Sequence, residues 1–397
     1  MKNFFVDLWE RIIGFVLNHG KTILAFLSGA LIVMLVLMPR LLKEDGKLEQ
    51  LERVLEEYFV EDVDSEALQD AAASAMVDAI GDRWSYYMTA EEYQESQQNM
   101  KSQYVGVGIT ISLREDGIGY DILKVEPTGP AAGAGILAGD ILIGANDVYA
   151  SEAGSEAVKN AVAGEKGTQV ELTVLRDGAE MKFTMNRDTV LVDVAQGIML
   201  EEHIGLVTIE SFRSRCADET IEAIEELLEQ GAEALIFDVR FNPGGYTTEL
   251  IELLDFLLPE GPIFRTESYD GDVNVDYSDA DCLEMPMAVL VNGDSYSAAE
   301  FFAAALQEYE AATVVGEKTF GKGYYQTDIL LSDGSAVNLS IGKYFTPNGL
   351  SLIGVGVTPD EEITVDEETA ARIYADVLDP MEDPQILAAI DTVKSGN

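Results

Sequence analysis

The chain has 397 residues, room for two or three domains that each bury a core. Its 25 Lys and Arg stand against 72 Asp and Glu, a formal charge of −47 that excludes a nucleic-acid partner, because phosphate backbones are met by basic surfaces. Hydrophobic residues at 47% and charged residues at 24% give a globular balance, and two cysteines (Cys216, Cys282) with two histidines (His19, His203) cannot build a Cys/His zinc cluster. No metal and no cofactor is therefore expected, and two free thiols are expected, with pairing of Cys216 and Cys282 across 66 residues left open.

In chain order, residues 1–21 contain FFVDLWERIIGFVL, which puts Phe5, Leu8, Trp9, Ile12, Ile13 and Val16 on one helical face suited to a membrane interface. Thr22 to Met38 reads TILAFLSGALIVMLVLM, an uncharged run between Lys21 and Pro39-Arg40 that is just long enough for a transmembrane anchor over 22–38. The small residues Ser28-Gly29-Ala30 offer a cleavage pattern, but the strongest apolar stretch follows them, which favours an uncleaved anchor. Lys2, Arg11 and Lys21 before the span balance Arg40, Lys43 and Lys47 after it, so charge counting leaves the orientation a tie.

Residues 46–100 read as a helical module, with Leu48, Leu51, Val54, Leu55 and Tyr58 on one stripe and Ser65 as the N-cap of a second helix. Over 101–190 the pattern turns to Gly-rich alternation, YVGVGITISL, GYDILKVEP, GDILIGANDVY and VELTVLRDG, with AGSEAVKNAVAG as an intervening helix. From 191 to 365 strands and helices alternate, HIGLVTIESF, ADETIEAIEELLEQG, ALIFDVR, TTELIELLDFLL, MAVLVNG and SAAEFFAAALQEY, which predicts an α/β layered core with buried parallel strands. His203 falls at the start of a strand and is read as an edge residue. A hairpin turning at Ser332–Ser335 follows, and residues 366–397 are helical.

Within the Gly-rich domain, VEPTGPAAGAGILAGDILIGANDV preceded by YVGVGI resembles a PDZ domain of the kind found in bacterial proteases. Gly106 and Gly108, with Val107 and Ile109, let backbone N–H groups form a nest for a peptide C-terminal carboxylate, while the strand edge pairs with the peptide.

Three loops of the α/β core fall at strand ends, where such folds place their sites: FNPGGY, NGDSYSAAE and GEKTFGKGYYQ. Ser297 stands at a helix start, where it serves either as an N-cap or as a nucleophile. Lys322 lies between two glycines, and Gln326 one helical-turn spacing beyond it. NPGG, NGDSYSAAE, GKGYYQ, FTPNG and GVGVTPD, in this order, resemble the carboxyl-terminal processing peptidases, or tail-specific proteases, over about Leu48 to Val365. The resemblance implies a Ser/Lys dyad in which Ser297 is the nucleophile, Lys322 the general base and Gln326 its orienter, with the Gly245 and Ala298 amides as the oxyanion hole. It also implies a fold of layered peptidase core with an inserted PDZ domain, an N-terminal anchor, and catalytic domains outside the cytoplasm.

The chemistry requires a neutral lysine, so burial must bring its pKa from about 10.4 towards 7. Phe320, Tyr324 and Tyr325 are available to exclude water. Two positions depart from the family: Tyr296 beside the nucleophile, which narrows or reshapes the primary pocket, and Ala163, where many relatives carry an arginine that couples the PDZ domain to the site. The expected activity is a membrane-anchored serine endopeptidase acting near the C-termini of extracytoplasmic proteins, its partners being protein or peptide substrates and the membrane, with a homodimer left open. The rival is a non-catalytic, PDZ-containing scaffold on an inactive peptidase fold. A crotonase-like acyl-CoA enzyme explains neither Lys322 nor the PDZ stretch.

Overall fold

The computed structural model describes residues 6, 8–14, 19–20, 46–114 and 116–395. The predicted span 22–38 lies outside them, and no helix among the described residues is long and apolar enough to cross a membrane. Residues 8–14 are helical and expose Leu8, Trp9, Ile12 and Ile13. The chain divides into two compact units, Met1–Ala79 and Ile80–Asn397.

In the first unit, α1 (Lys47–Tyr58) and α2 (Ser65–Asp78) form a helical pair. The N-cap of α2 is Asp64, whose Oδ1 accepts from the Ala67 amide at 3.1 Å, one residue before the predicted Ser65. Ser65 instead donates its hydroxyl to Glu52 of α1, tying the two helices together. Leu48, Leu51 and Leu55 face Leu68, Ala72 and Met76 across a groove of about 230 Å³.

The second unit begins inside the stretch predicted to be helical throughout. Tyr86–Met88 form β1, followed by α3 (Ala90–Met100), which Thr89 and Glu92 close with a capping box. The expected 46–100 module therefore ends early. The helical pattern breaks at Gly81, and Tyr86–Met88, with two β-favouring tyrosines, gains a partner strand far along the chain.

The Gly-rich domain comprises β2 (Gln103–Gly106), β3 (Ile109–Leu113), β4 (Tyr120–Val125), α4 (Pro130–Ala134), β5 (Ile141–Ala145), β6 (Val148–Tyr149), α5 (Ala150–Ala153), α6 (Ser155–Val162), β7 (Gln169–Arg176), β8 (Ala179–Asn186) and β9 (Asp188–Leu191). Its sheet runs β3-β4-β5-β7-β8 with β6 on β5, over a core that includes Ile122, Leu142, Val158, Leu172 and Val174. The stretch predicted as one strand, YVGVGITISL, splits because Gly108 takes a positive φ of 82°, so β2 leaves the sheet and pairs with β9 instead.

The α/β core contains β10 (Ala195–Met199), β11 (Ile204–Ile209), α7 (Cys216–Glu229), β12 (Ala234–Asp238), α8 (Thr247–Leu257), β13 (Gly261–Ser268), β14 (Val273–Ser278), β15 (Met287–Val291), α9 (Ala298–Glu308), β16 (Ala312–Gly316), β17 (Tyr324–Leu330), β18 (Ala336–Phe345), β19 (Glu361–Glu362), α10 (Glu367–Tyr374) and α11 (Pro384–Ser395). One sheet has the order β10-β11-β12-β15-β16-β19, parallel from β11 onward. Helices α7, α8 and α9 cover one face through Ile224, Leu253 and Phe302, and α11 covers the other through Ile386, Ala389 and Ile390. Burial on both faces explains why these strands read as continuous apolar runs. A second sheet, β1-β18-β13-β14 with β17 on β18, meets α9 where Phe264 packs edge-on against Phe301 at 5.5 Å.

The C-terminal helix is thus part of the core rather than an appendage. Arg240, just past β12, donates to Asp238 and, at 2.8 Å each, to Asp383 and Gln385 at the start of α11. All of these charges are shielded from water, so removing the cation leaves two carboxylates unpaired. Arg240→Ala is expected to lower stability by about 3–5 kcal/mol in a denaturant titration, and Arg240→Lys, which cannot fork to both partners, to recover only part of it.

Candidate active site

The three loops singled out in the sequence leave the C-terminal ends of β12, β15 and β16, adjacent parallel strands, and so converge on one edge of the sheet. Polar side chains stitch them together. Asn242, fully buried, donates to the Ile209 carbonyl at 2.7 Å and accepts from the Gly244 amide at 2.8 Å, while its own carbonyl takes the Tyr296 amide at 3.1 Å. Asn292 accepts from the Phe241 amide, and Ser295 donates to the Val239 carbonyl at 2.7 Å.

Ser297 caps α9 with φ 59° and ψ −127°, a conformation that costs a non-glycine residue about 1–3 kcal/mol and is met at nucleophile turns. It is 5% exposed. The cap is closed by the Glu300 carboxylate on the Ser297 amide at 3.1 Å, and the Ser297 hydroxyl takes no part in it. Gly244 packs directly on the serine, since a Cβ there would stand 2.7 Å from Ser297 Cβ. A Cβ on Gly245 would lie 2.1 Å from the Phe212 carbonyl oxygen, so only glycine fits. Among the described residues the Gly245 and Ala298 amides donate no hydrogen bond, and both belong to the turns that flank Ser297. Two free amides in this position can polarise a carbonyl oxygen.

Glu300 is the hub that the sequence reading passed over. With 0% exposure, its Oε1 accepts from Thr319 Oγ1 and the Gly321 amide, both at 2.6 Å, and its Oε2 from the Lys322 amide at 2.8 Å as well as from Ser297. One carboxylate thereby fixes the serine turn to the lysine loop. Burial raises its pKa against these donors. The S-x-x-E spacing of a capping box was the local signal available for it.

Lys322 extends into a group of rings. Its Nζ lies 4.3 Å from the centroid of Trp84 and 5.9 Å from that of Tyr296. Tyr296 joins Trp84 and Phe320 in this cluster, with centroids 6.0 and 5.7 Å away, so the residue expected to reshape a substrate pocket helps to bury the lysine. Burial pulls the amine down to about 8, against the opposing pull of Glu300 and Asp82. No hydrogen bond joins Lys322 Nζ to Ser297 Oγ among the described residues. The Tyr344 phenol interacts with the Ser297 hydroxyl, and burial raises its pKa.

No hydrogen bond joins Gln326 to Lys322 among the described residues: its amide nitrogen donates to the Tyr324 carbonyl at 3.1 Å and to Ser340 Oγ at 3.0 Å. His203 sits in a turn before β11, at the opposite ends of the strands from Ser297, which removes it as a base. Cys216 and Cys282 are free thiols, and burial pushes the Cys216 thiol up to about 12.

In the Gly-rich domain, β3 starting at Ile109 is an edge strand, and Val107 and Gly108 use their carbonyls on the Ala131 and Glu126 amides. Gly106 is engaged in the β2–β9 pairing. Ala163 ends α6, and an arginine does reach this helix end: buried Arg187 donates to the Ala161 and Val162 carbonyls at 2.8 and 2.7 Å. A cavity of about 600 Å³ lies between the outer face of this domain's sheet, at Thr110 and Lys124, and the core at Arg213 and Pro243.

The model of peptidase family S41 matches residues 203–363 and that of the PDZ domain residues 105–186. Carboxy-terminal processing protease CtpA of Bacillus subtilis is 31% identical over 323 residues, which cover 79% of this chain and 68% of that protein. An S41-type protein of known structure from Bacteroides fragilis aligns with a TM-score of 0.53 at 16% identity, over 85% of this chain and 99% of that one, a likeness of fold. Fold and relatives together define a serine peptidase carrying a PDZ domain. The chain belongs to peptidase family S41, among the carboxy-terminal processing proteases.

Two outcomes follow from this geometry. Glu300→Gln turns one face of the hub into a donor opposite existing N–H donors, so peptidase activity should fall by about 100-fold and stability by about 1–3 kcal/mol, read by turnover and thermal melting. Lys322→Met should stabilise the fold. The unfolded chain binds more protons than the folded one between pH 8 and 10.5, so the lysine's penalty is full below pH 8 and fades above it. The gain in melting free energy is at most about 3 kcal/mol, reduced where water still screens the side chain, and it should shrink across that window.

Proposed function

We propose that the chain is a membrane-anchored endopeptidase whose peptidase and PDZ domains lie outside the cytoplasm, and that it cuts near the C-termini of protein substrates with a Ser297/Lys322 dyad. The observation that carries the dyad is the shared carboxylate: Glu300 holds the Ser297 amide and the Lys322 amide at once, while burial brings the lysine down to about 8. Neutral Lys322 takes the proton of Ser297 Oγ as the oxygen attacks the substrate carbonyl. The Gly245 and Ala298 amides receive the developing oxyanion, and the ammonium returns the proton to the leaving amine. The flexible four-carbon stem of Lys322 lets the amine leave the Trp84 ring for the serine.

The PDZ domain captures the substrate tail. In support, β3 offers a free edge for strand addition beside the turn at Gly108, and the cavity from Thr110 to Pro243 leads towards the glycine turn. The uncharged run at 22–38 supports the anchor.

Ser297→Ala should abolish cleavage of an unstructured peptide while peptide binding persists. Lys322→Arg should fall nearly as far as Lys322→Ala, because guanidinium keeps its proton. The wild-type rate should climb with pH along one limb with its midpoint near 8, so that about a tenth of the molecules are competent at pH 7. A Lys322→Arg enzyme with normal turnover would end the dyad reading. Amidating the C-terminal carboxylate of the peptide should weaken its capture, and equal rates for the acid and the amide would take the PDZ domain out of substrate selection.

A further inference from the structure

The turn Gly81–Ser85 precedes the PDZ domain and lies far from the catalytic motifs in sequence, yet it supplies the surroundings of the Lys322 amine. The geometry points to Trp84 as the positioning residue for Lys322: the indole covers the amine and keeps water from it, and Asp82 fixes the turn that presents the indole and adds a negative charge to its surroundings. This rests on the dyad reading, which makes Lys322 the base.

Trp84 is the ring nearest Lys322 Nζ, at 4.3 Å. It is itself held on several sides: Phe320 meets it edge-on at 5.7 Å, Tyr296 lies at 6.0 Å, and the Arg83 guanidinium stands 4.8 Å from its centroid and 4.9 Å from that of Phe320. Asp82 fixes the turn, its Oδ1 accepting from the Trp84 amide at 3.2 Å and its Oδ2 from Ser85 Oγ at 2.6 Å. Ser85, buried, accepts in turn from the Ser340 amide at 3.0 Å, and Ser340 Oγ accepts from Gln326 at 3.0 Å. Gln326 is thereby linked through Ser340 and Ser85 to the Asp82 turn.

The charged and titratable groups near the amine and its rings are Asp82 and Glu300, which favour the ammonium, Arg83 against the Trp84 and Phe320 rings, and Tyr296. They pull in opposite directions. Excluding water disfavours the ammonium, whereas the Asp82 charge favours it. The π face of Trp84 also attracts a cation, but less than full hydration does, so admitting water must raise the lysine pKa.

The test is the pH dependence with which a fluorophosphonate probe labels Ser297 in the full chain, with intact-mass detection. Trp84→Ala should move the basic limb to higher pH by about half a unit or more, Trp84→Phe should restore most of the wild-type position, and Asp82→Asn should move the limb to lower pH. Asn keeps an acceptor for the Trp84 amide, so Asp82→Asn retains the turn and carries the test if Trp84→Ala does not fold. Shifts in opposite directions support the assignment, since a purely structural defect lowers the plateau without moving the limb. Limbs that stay at the wild-type pH in a protein whose Lys322→Arg variant is dead would overturn it. An active Lys322→Arg variant would instead overturn the dyad on which it rests.

Discussion

The site depends on one buried carboxylate. Glu300 takes donors from the serine turn and from the lysine loop, and with no water available to replace them, each of those bonds must be kept or lost at a cost of a few kcal/mol. The two loops leave β15 and β16 at the same level, Val291 opposite Gly316, so strand register delivers them and the carboxylate locks them. The glycine turn is then fastened to the serine turn by Asn242. Rigidity is thus concentrated in the backbone that carries Ser297, the free amides and the Lys322 main chain, and the lysine's own long side chain is the part left to move.

The PDZ domain interrupts this core rather than preceding it. Strand β1 pairs with β18, so the chain enters the core, leaves it through β2 and returns through β9, and the two connections pair with each other from Gln103 with Leu191 to Gly106 with Asp188. Arg215 grips the base of that ribbon, donating to the Lys101 carbonyl at 3.0 Å and to the Val192 carbonyl at 2.8 Å. An antiparallel ribbon of four pairs is stiff along its length and compliant across it. The paired connections thus join the PDZ domain to the core through a two-stranded neck.

The features legible in the sequence were those enforced locally. The glycines of NPGG are demanded by backbone approach to Phe212 and Ser297, and the parallel strands by burial on both faces. Ser297 and Lys322 announced themselves through short motifs at strand ends. Other features were set by distance. Trp84 meets Lys322 and Tyr296 across more than 200 residues of chain, and nothing in GDRWSYYM encodes that meeting. Three-residue β1 is too short to show alternation and exists because β18 is there to pair with it. The resemblance assigns Gln326 to the lysine, whereas the bulge between Tyr325 and Gln326 that engages its amide nitrogen with Tyr324 and Ser340 has no signal in the sequence.

The tie between Arg240 and the start of α11 has a consequence for biogenesis. The partners are separated by 143 and 145 residues, and Phe241, next in the glycine turn, rests edge-on against Tyr374 of α10. A nascent chain that has already made Ser297 and Lys322 still lacks the helix that shields one face of the sheet and neutralises Arg240. The sheet that carries the site is therefore covered on both faces only after α11, well beyond Lys322 in the chain, has been made, so final packing of the core follows synthesis of both Ser297 and Lys322.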